Sequence, residues 1–160
     1  MALEELDEMD VNILKILQND AAISNADLAE KVSLSPSPCA RRVRLLEEKG
    51  YIRQQVTLLD NKKLGLSVTM FVQITLSRQR KKSLDAFETE IVHWPEVMEC
   101  YLMTGDIDYL LRVVLPDLEA CQQFLDKLTD VEAIGHVRSS LSLKQVRYKT
   151  ELPLDHVKDH

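Results

Sequence analysis

The stretch from Ser24 to Gly50 constrains the fold of this chain more than any other, because it carries start and stop signals for two successive helices. Ser24, with Asp27 three residues later, is typical of a capping box at a helix start. After a short polar turn, Ser35 predicts the N-cap of a second helix. Pro36 takes that helix's first position, where a missing N–H costs little. Gly50 follows the last apolar residue and predicts the end of the helix. The stretch therefore predicts a helix-turn-helix.

The second of these helices is predicted to have two chemically different faces. At about 100° per residue, the uncharged face carries Cys39, Val43 and Leu46. The opposite face is polar and basic and carries Ser37, Arg41 and Arg44, with Arg42 flanking the uncharged stripe. Such a helix packs on its own domain with one face and enters a DNA major groove with the other. A solvated basic helix in an ordinary bundle is the alternative, because basic helix faces are common.

The distribution of charge favours a local DNA-binding patch. The chain of 160 residues has a formal net charge of −6, which argues against a protein that holds nucleic acid by its overall charge. Between Lys31 and Arg53, however, six residues are basic and two are acidic. We therefore predict that the DNA-contacting side chains are those of Ser35, Ser37, Arg41, Arg42, Arg44 and Arg53.

Residues 1–60 are predicted to form a winged helix-turn-helix domain. A helix that begins at Asp7 and ends at Asn19-Asp20 precedes the two helices above, and three helices suffice for a small core. The segment Tyr51–Asp60 is rich in β-forming residues and directly follows the basic helix, as a wing strand would. The polar residues 61–66 then predict a linker.

Residues 67–160 are predicted to form a second domain in which strands and helices alternate. Apolar and polar residues alternate from Ser67 to Ser77, which indicates a strand. The later elements are predicted as a helix over Lys81–Trp94, strands over Val97–Met103 and Tyr109–Leu115, a helix capped by Asp117, and a strand over Val137–Val146. This β-α-β-β-α-β order is the ferredoxin-like arrangement, so the fold class is α+β. The helices cover one sheet face, and we expect a second copy of the chain to cover the other.

Several other classes of protein are disfavoured by the sequence. No apolar run approaches the roughly 20 residues that span a membrane, and the acidic N-terminus does not resemble a signal peptide. The dispersed Cys39, Cys100 and Cys121 are expected to be buried thiols in a reducing cytoplasm. The histidines are scattered, so we expect no metal site and no cofactor. No catalytic triad or phosphate-binding loop is recognised, which argues against an enzyme.

Motifs in the two predicted domains together point to one family. The first is Ser35-Pro36-Ser37-Pro38-Cys39 followed by Arg41-Arg42-Val43, and the second is the turn Thr104-Gly105-Asp106-Ile107-Asp108-Tyr109. Further matching residues are Leu6-Asp7, Asp10, Ile13-Leu14, Leu46-Glu47, Ile52-Arg53 and Leu64-Gly65. With these features in order from about Leu6 to Pro153, the chain resembles the leucine-responsive regulatory protein/asparagine-regulator (Lrp/AsnC) family.

The resemblance implies a cytoplasmic transcription regulator that binds double-stranded DNA through its N-terminal domain. It also implies dimerisation through the C-terminal domain, with dimers commonly assembling into an octamer. A small effector, usually an amino acid, is expected to bind between C-terminal domains of neighbouring dimers. The candidate effector-binding residues of this sequence are Tyr101, Met103, Thr104, Gly105, Asp106, Asp108, Ser139 and Ser140.

The chemistry of these residues favours an apolar amino acid, with leucine and methionine as the candidates. Gly105 allows the backbone to approach a ligand closely. Asp106 and Asp108 carry charge that suits an α-ammonium group, while Tyr101 and Met103 offer apolar surface. Two alternatives remain: the turn is only a hairpin connection, which Asp and Gly favour in any case, or the chain is an architectural DNA-binding protein with no ligand response.

Overall fold

The computed structural model describes residues 6–78 and 81–159, and the chain divides into two compact units. One unit contains the residues up to Leu58 together with those from Val146 onward, and the other runs from Leu59 to Gln145. The predicted domains, 1–60 and 67–160, differ from this division chiefly at the C-terminus. There the tail, which includes a 3₁₀ helix over Asp155–Asp159, joins the first unit.

Three helices make up the core of the first unit: α1 (Glu8–Leu17), α2 (Asn25–Lys31) and α3 (Pro36–Glu48). The predicted cap of α2 is confirmed, because the Ser24 hydroxyl accepts the Asp27 N–H at 3.1 Å and donates to the Asp27 carboxylate at 2.6 Å. The buried residues between the helices are Ile13, Leu28, Ala29, Val32, Cys39 and Leu46. The uncharged face of α3 thus points inward, as predicted.

Helices α2 and α3 both end at a residue with left-handed backbone. After α3, the N–H groups of Tyr51 and Gly50 donate to the carbonyls of Leu46 and Glu47, both at 2.9 Å, and Gly50 has a φ of 78°. This is the Schellman arrangement, and it confirms the predicted helix stop. After α2, Ser33 has a φ of 57°. A left-handed φ is unfavourable for a residue with a Cβ, so the turn between α2 and α3 is strained at this serine.

The C-terminal tail packs against α1. The Gln18 amide donates to the Leu152 carbonyl at 3.1 Å and accepts the Leu152 N–H at 2.9 Å. The Lys15 ammonium pairs with the Asp155 carboxylate at 3.2 Å. Val11 lies on the same stripe of α1 as Lys15 and Gln18, facing away from Ile13, and is only 1% exposed. The prediction that the tail belongs to a domain over 67–160 is therefore not matched, because these bonds hold it on the first unit.

The segment predicted as a wing strand forms no strand in the part of the chain that the structure describes. Residues 51–60 have bend and irregular backbone, and Val56, Leu58 and Leu59 are each more than half exposed. Residues of high β-propensity form a strand only where a second extended segment completes their backbone hydrogen bonds. No such segment pairs with residues 51–60 among the described residues, so the strand predicted over Tyr51–Asp60 is not formed.

The second unit is an antiparallel sheet of four strands with two helices on one face. Its elements are β1 (Val68–Leu76), α4 (Lys81–Ile91), β2 (Val97–Leu102), β3 (Tyr109–Leu115), α5 (Leu118–Thr129) and β4 (Ile134–Leu141). The strand order β2-β3-β1-β4 confirms the predicted ferredoxin-like topology. Alternate residues of β1 and β3 are buried against the helix residues Phe87, Ile91, Cys121, Phe124 and Leu128.

The sheet face opposite the helices carries a mixture of apolar and charged side chains. One row across the four strands consists of Ser140, Phe71, Arg112 and Glu99, and the Arg112 guanidinium pairs with Glu99 at 2.8 Å. Phe71 is 40% exposed, and Tyr101, in the adjacent row, is 51% exposed. This open face is the one that the sequence predicts to be covered by a second copy.

Strand β4 begins and ends earlier than the predicted Val137–Val146. It begins at Ile134 because the Ser77 N–H donates to the Ala133 carbonyl at 2.9 Å and draws the chain alongside the end of β1. Gly135 permits this approach, since a Cβ there would lie 2.9 Å from the Ser77 Cα. The strand ends at Leu141, opposite Met70, two residues after the start of its partner β1.

Two of the three cysteines are buried as predicted, but Cys100 is exposed. It lies on β2, an edge strand with a neighbour on one side only, so its surroundings cannot enclose it. Local desolvation, with a contribution from the Glu88 carboxylate, nevertheless raises the pKa of the thiol to about 11. The thiol is therefore protonated at neutral pH and is a poor nucleophile.

Neither a membrane-spanning helix nor a metal-binding cluster is present in residues 6–78 and 81–159. None of the helices there is long and apolar enough to cross a bilayer. No group of three or more His, Cys, Asp and Glu side chains there is placed to hold a metal ion.

Candidate DNA-binding and effector-binding sites

The outer face of α3 carries most of the predicted DNA-contacting residues. Ser37, Arg41 and Arg44 are exposed, whereas Cys39 and Leu46 on the opposite face are buried. Arg41 has no side-chain partner among the described residues. Arg44 bonds Glu48 at 3.0 Å, but the side chains are 77% and 55% exposed, and such a surface pair is weak. Both guanidinium groups are therefore accessible to a ligand on this face.

Arg42 differs from the other predicted DNA contacts because it is bound within the protein. Its Nη1 donates to Asp7 Oδ2 at 2.6 Å and to Asp10 Oδ1 at 2.8 Å. Arg42 lies on the flank of α3, and both carboxylates lie at the start of α1. The prediction that Arg42 is available to DNA is thus not supported by its position. Sequence reasoning missed Asp7 and Asp10, although a charged residue flanking an apolar stripe is a signal that it needs a partner.

The electrostatics of this ion-pair cluster are consistent with its geometry. The carboxylates of Asp10 and Asp7 raise the pKa of Arg42. Partial burial raises the pKa of Asp7, but the hydrogen bond from the Asp10 backbone N–H and the Arg42 guanidinium outweigh it, so the pKa lies below the ordinary 3.8. The folded unit therefore favours the charged forms of Arg42 and Asp7.

The start of α3 presents hydroxyl groups that the helix does not use. Ser35 occupies the N-cap position as predicted, but its side chain makes no capping hydrogen bond. Pro38, at the third helical position, has no N–H to offer, which removes one of the two N–H groups that an N-cap side chain can accept from. The hydroxyl groups of Ser35 and Ser37 are exposed. Arg53, also exposed, lies five residues beyond the end of α3 in irregular backbone.

The predicted effector turn joins β2 to β3. Its first backbone hydrogen bond runs from the Met103 N–H to the Asp108 carbonyl at 2.8 Å. Gly105 has a φ of 105°, and a Cβ built there would meet no atom within 4 Å. The glycine is thus required by backbone conformation and leaves open space beside it. Thr104 and Asp106 are exposed, and Met103 is 38% exposed.

Asp108 has a structural role that the sequence did not reveal. It is only 8% exposed, and its Oδ2 accepts the Leu76 N–H at 2.7 Å. Its own N–H donates to the Ile74 carbonyl at 2.8 Å. The carboxylate therefore closes the end of β1, whereas Asp106 in the same turn remains exposed. The signal was present in the position of Asp108 directly before the buried strand β3.

The remaining predicted effector residues lie on other parts of the sheet. Tyr101 pairs with Leu110, and Ser140 with Phe71, which places both on the open face. Ser139 pairs with Val72 and faces the helix side at an edge of the sheet. Strands β2 and β4 are the two opposite edges, so a single chain does not bring the serines together with the turn.

Two family models match the chain over most of its length. A model described as winged helix-turn-helix DNA-binding matches residues 6–53, and one described as Lrp/AsnC ligand binding domain matches residues 69–152. The first range covers the three-helix core, and the second covers the four-stranded sheet and continues into the C-terminal tail.

Relatives and solved structures agree with these matches. The Bkd operon transcriptional regulator of Pseudomonas aeruginosa is 43% identical over 153 residues, which is 95% of this chain and 100% of the relative. An AsnC family transcriptional regulator from Agrobacterium tumefaciens is 44% identical, with a TM-score of 0.90 over 94% of this chain and 99% of that one. A transcriptional regulator of Neisseria meningitidis in complex with L-Met is 37% identical, with a TM-score of 0.91 over 95% and 99% of the two chains.

Proposed function

The chain belongs to the Lrp/AsnC family of transcription regulators, and we propose that it reads duplex DNA with the outer face of α3 and senses an amino acid at the turn after Met103. It is a regulator with a DNA-binding unit and a ligand-binding domain, not an enzyme. The observation that carries the proposal is the exposed Arg41 on α3, opposite the buried Cys39 and Leu46. As a DNA-binding regulator it acts where the DNA lies, which supports the predicted cytoplasmic location.

The DNA interface that we propose combines backbone and base contacts. Ser35 and Ser37 stand at the start of α3, where their hydroxyl groups, the Ser37 N–H and the positive end of the helix dipole favour a phosphate. Arg41 lies one turn further along the same face and is placed to read a base edge. Arg44 contributes after release from the exposed Glu48, and Arg53 adds a phosphate contact beyond the helix.

The effector that we propose is an amino acid held by the turn over residues 103–106. The relative from Neisseria meningitidis has been solved in complex with L-Met, which supports an amino acid as the ligand class here. The exposed Asp106 is suited to the α-ammonium group, and the open backbone at Gly105 to the α-carboxylate. Met103 offers an apolar, adaptable surface to the side chain, which favours methionine or leucine. We do not assign Asp108 to direct contact with the effector, because its Oδ2 accepts the Leu76 N–H at the end of β1.

The assembly that we propose is a dimer formed through the open sheet face, with dimers associating further into an octamer. Phe71 and Tyr101 expose apolar surface there, and Arg112 with Glu99 adds a charged pair that a two-fold axis would repeat. Because Ser139 and Ser140 lie far from the turn of their own chain, we assign them to the effector site only through the turn of another copy.

Two measurements test the proposal. Arg41→Ala should weaken binding of a selected duplex by roughly 1–3 kcal/mol if the guanidinium reads a base, whereas wild-type affinity in the variant would reject the docking face. Calorimetry with leucine and methionine should give heat with wild type and none with Asp106→Ala. Asp126→Ala, an exposed aspartate on α5, is the matched control and should bind as wild type does.

The second candidate function is an architectural DNA-binding protein without a ligand response. A thermal-shift screen with the twenty amino acids separates the two, because a ligand that binds only the folded state raises the melting temperature. A shift with an apolar amino acid supports the regulator, and no shift with any amino acid supports the architectural protein.

A further inference from the structure

The attachment of α3 to the rest of its unit combines apolar packing with directional contacts, among them one at the start of the helix and one at its middle. Cys39 and Leu46 bury its inner face, but apolar contacts are non-directional and permit a helix to rotate or slide. At its start, the Asn25 amide donates to the Pro36 carbonyl at 2.9 Å. At its middle, Arg42 reaches across to the start of α1.

The Arg42 contact is the more constraining of the two, because it joins one guanidinium to two carboxylates. Asp7 caps α1 and accepts the Asp10 N–H at 2.8 Å, so its carboxylate is held by the first turn of α1. Asp10 belongs to that same turn. The Arg42 side chain is 33% exposed, and those of Asp7 and Asp10 are 52% and 19% exposed. Charge-assisted hydrogen bonds of this length are directional as well as strong. For Arg42 to reach DNA, both bonds would have to break.

We infer that Arg42 is a positioning residue, which fixes the rotation and the axial position of α3 against α1 so that Ser37 and Arg41 face the DNA. Arg42 itself makes no DNA contact. The inference rests on the DNA interface proposed above. Its physical basis is that side chains that bind a ligand together must be held to within about 0.5 Å and 10–20° of their binding geometry. Apolar packing alone does not fix the rotation and the axial position of a helix so closely.

The decisive comparison is between Arg42→Gln and the double variant Asp7→Asn/Asp10→Asn. The double variant leaves Arg42 in place but removes its partners, and Asn caps a helix as well as Asp does. If Arg42 positions α3, both variants should weaken binding of a duplex selected by the wild-type protein by about tenfold or more. If Arg42 contacts DNA, the double variant should bind as tightly as wild type or more tightly, since it frees a guanidinium and removes two negative charges.

The salt dependence of DNA binding distinguishes a positioning residue from one that contacts phosphate, because only the loss of a phosphate contact changes it. A plot of log affinity against log salt concentration has a negative slope, and each lost phosphate contact reduces the magnitude of that slope by about 0.9. Arg42→Gln should therefore keep the wild-type slope while its affinity falls. Binding of an unrelated duplex of equal length should also be retained. A reduced slope in Arg42→Gln would overturn the inference.

A double-mutant cycle tests the inference even if the variants are less stable than the wild-type protein. Thermal unfolding curves are measured first, and DNA binding is then compared at a temperature at which every variant is folded. Arg42→Gln added to Asp7→Asn/Asp10→Asn should then cause no further loss of affinity, because both act through the same bonds. A further loss would show direct DNA contact and reject the positioning role. Arg41→Gln separates the two proposals: unchanged binding in that variant would reject the DNA interface itself.

Discussion

The carboxylate of Asp108 accepts the backbone N–H of Leu76 at 2.7 Å, across 32 positions of the sequence and at the end of a central strand. This bond gives two aspartates of one turn different roles. Asp108 is 8% exposed and completes the sheet, whereas Asp106 is exposed and remains available to a ligand. The sequence made both of them candidates for an α-ammonium group, because both are acidic residues of the turn that contains Gly105.

The first prediction follows from this difference. Asp108→Ala leaves the Leu76 N–H without its acceptor in a buried position, which should lower the free energy of unfolding by about 1–3 kcal/mol. Asp106→Ala should change it by less than about 0.5 kcal/mol. Urea unfolding followed by the fluorescence of Trp94, the single tryptophan, measures both variants on the same unit. Equal effects of the two substitutions would contradict the structural role of Asp108.

The second prediction concerns the strained turn of the helix-turn-helix. Ser33 has a φ of 57°, so Ser33→Gly should relieve the strain and raise the free energy of unfolding. A left-handed φ destabilises a residue with a Cβ, whereas glycine loses more backbone entropy when the chain folds. The first effect is the larger, so the substitution should raise the free energy of unfolding by about 0.5–1 kcal/mol. Ser33→Ala retains a Cβ and is the matched control. Thermal unfolding by circular dichroism tests the pair, and a glycine variant no more stable than the alanine variant would refute the strain.

The third prediction concerns the docked tail. Gln18→Ala removes both hydrogen bonds to Leu152, which together stabilise docking by about 1–2 kcal/mol. Trypsin should then cleave after Arg147 and Lys149 faster than in wild type. Gln54→Ala, an exposed glutamine in irregular backbone, should leave the cleavage rate unchanged. If Gln18→Ala is cleaved no faster, the tail does not depend on this contact.

Local patterns predicted the elements of the fold well, and distant contacts account for what was missed. Helix caps and stops at Ser24 and Gly50, and the alternation within β1, depend on neighbouring residues and are visible in sequence. The partners of Arg42 and Leu152 lie 32 and 134 positions away. No spacing rule connects such residues, because the fold has to bring them together first. The strand predicted over Tyr51–Asp60 does not form for the same reason: a strand depends on a partner that local propensity cannot supply.

The fourth prediction is a pH dependence of the first unit. The pKa of folded Asp7 lies below its ordinary 3.8, so the stabilisation it provides is complete above that value and is lost as pH falls through the folded pKa. The free energy of unfolding of wild type should therefore decline below about pH 4 more steeply than that of Asp7→Asn. Glu30→Gln, an exposed carboxylate on α2, is the control and should follow wild type. If the free energy of unfolding falls with pH in parallel for wild type and Asp7→Asn, the charge of Asp7 does not stabilise the first unit.

The last prediction tests the open sheet face as the dimer interface. Phe71 lies in the row with Ser140, Arg112 and Glu99, on the sheet face opposite α4 and α5. Phe71→Glu places a carboxylate beside the Arg112 guanidinium on the open face, so the folded monomer should tolerate the substitution. Across a two-fold axis, however, the same change buries two carboxylates and should weaken dimerisation by at least about tenfold.

Val92→Glu is the control for this experiment, because Val92 is 72% exposed but lies at the end of α4, on the helix side of the sheet. If exposure alone determined association, Val92→Glu would have the larger effect, since Phe71 is 40% exposed. Light scattering at micromolar concentration should instead show wild type and Val92→Glu as dimers or larger assemblies, and Phe71→Glu shifted towards monomer. Trp94 fluorescence verifies that each variant is folded. An unshifted Phe71→Glu would place the interface elsewhere, since a charge at the centre of an apolar contact cannot be neutral to it.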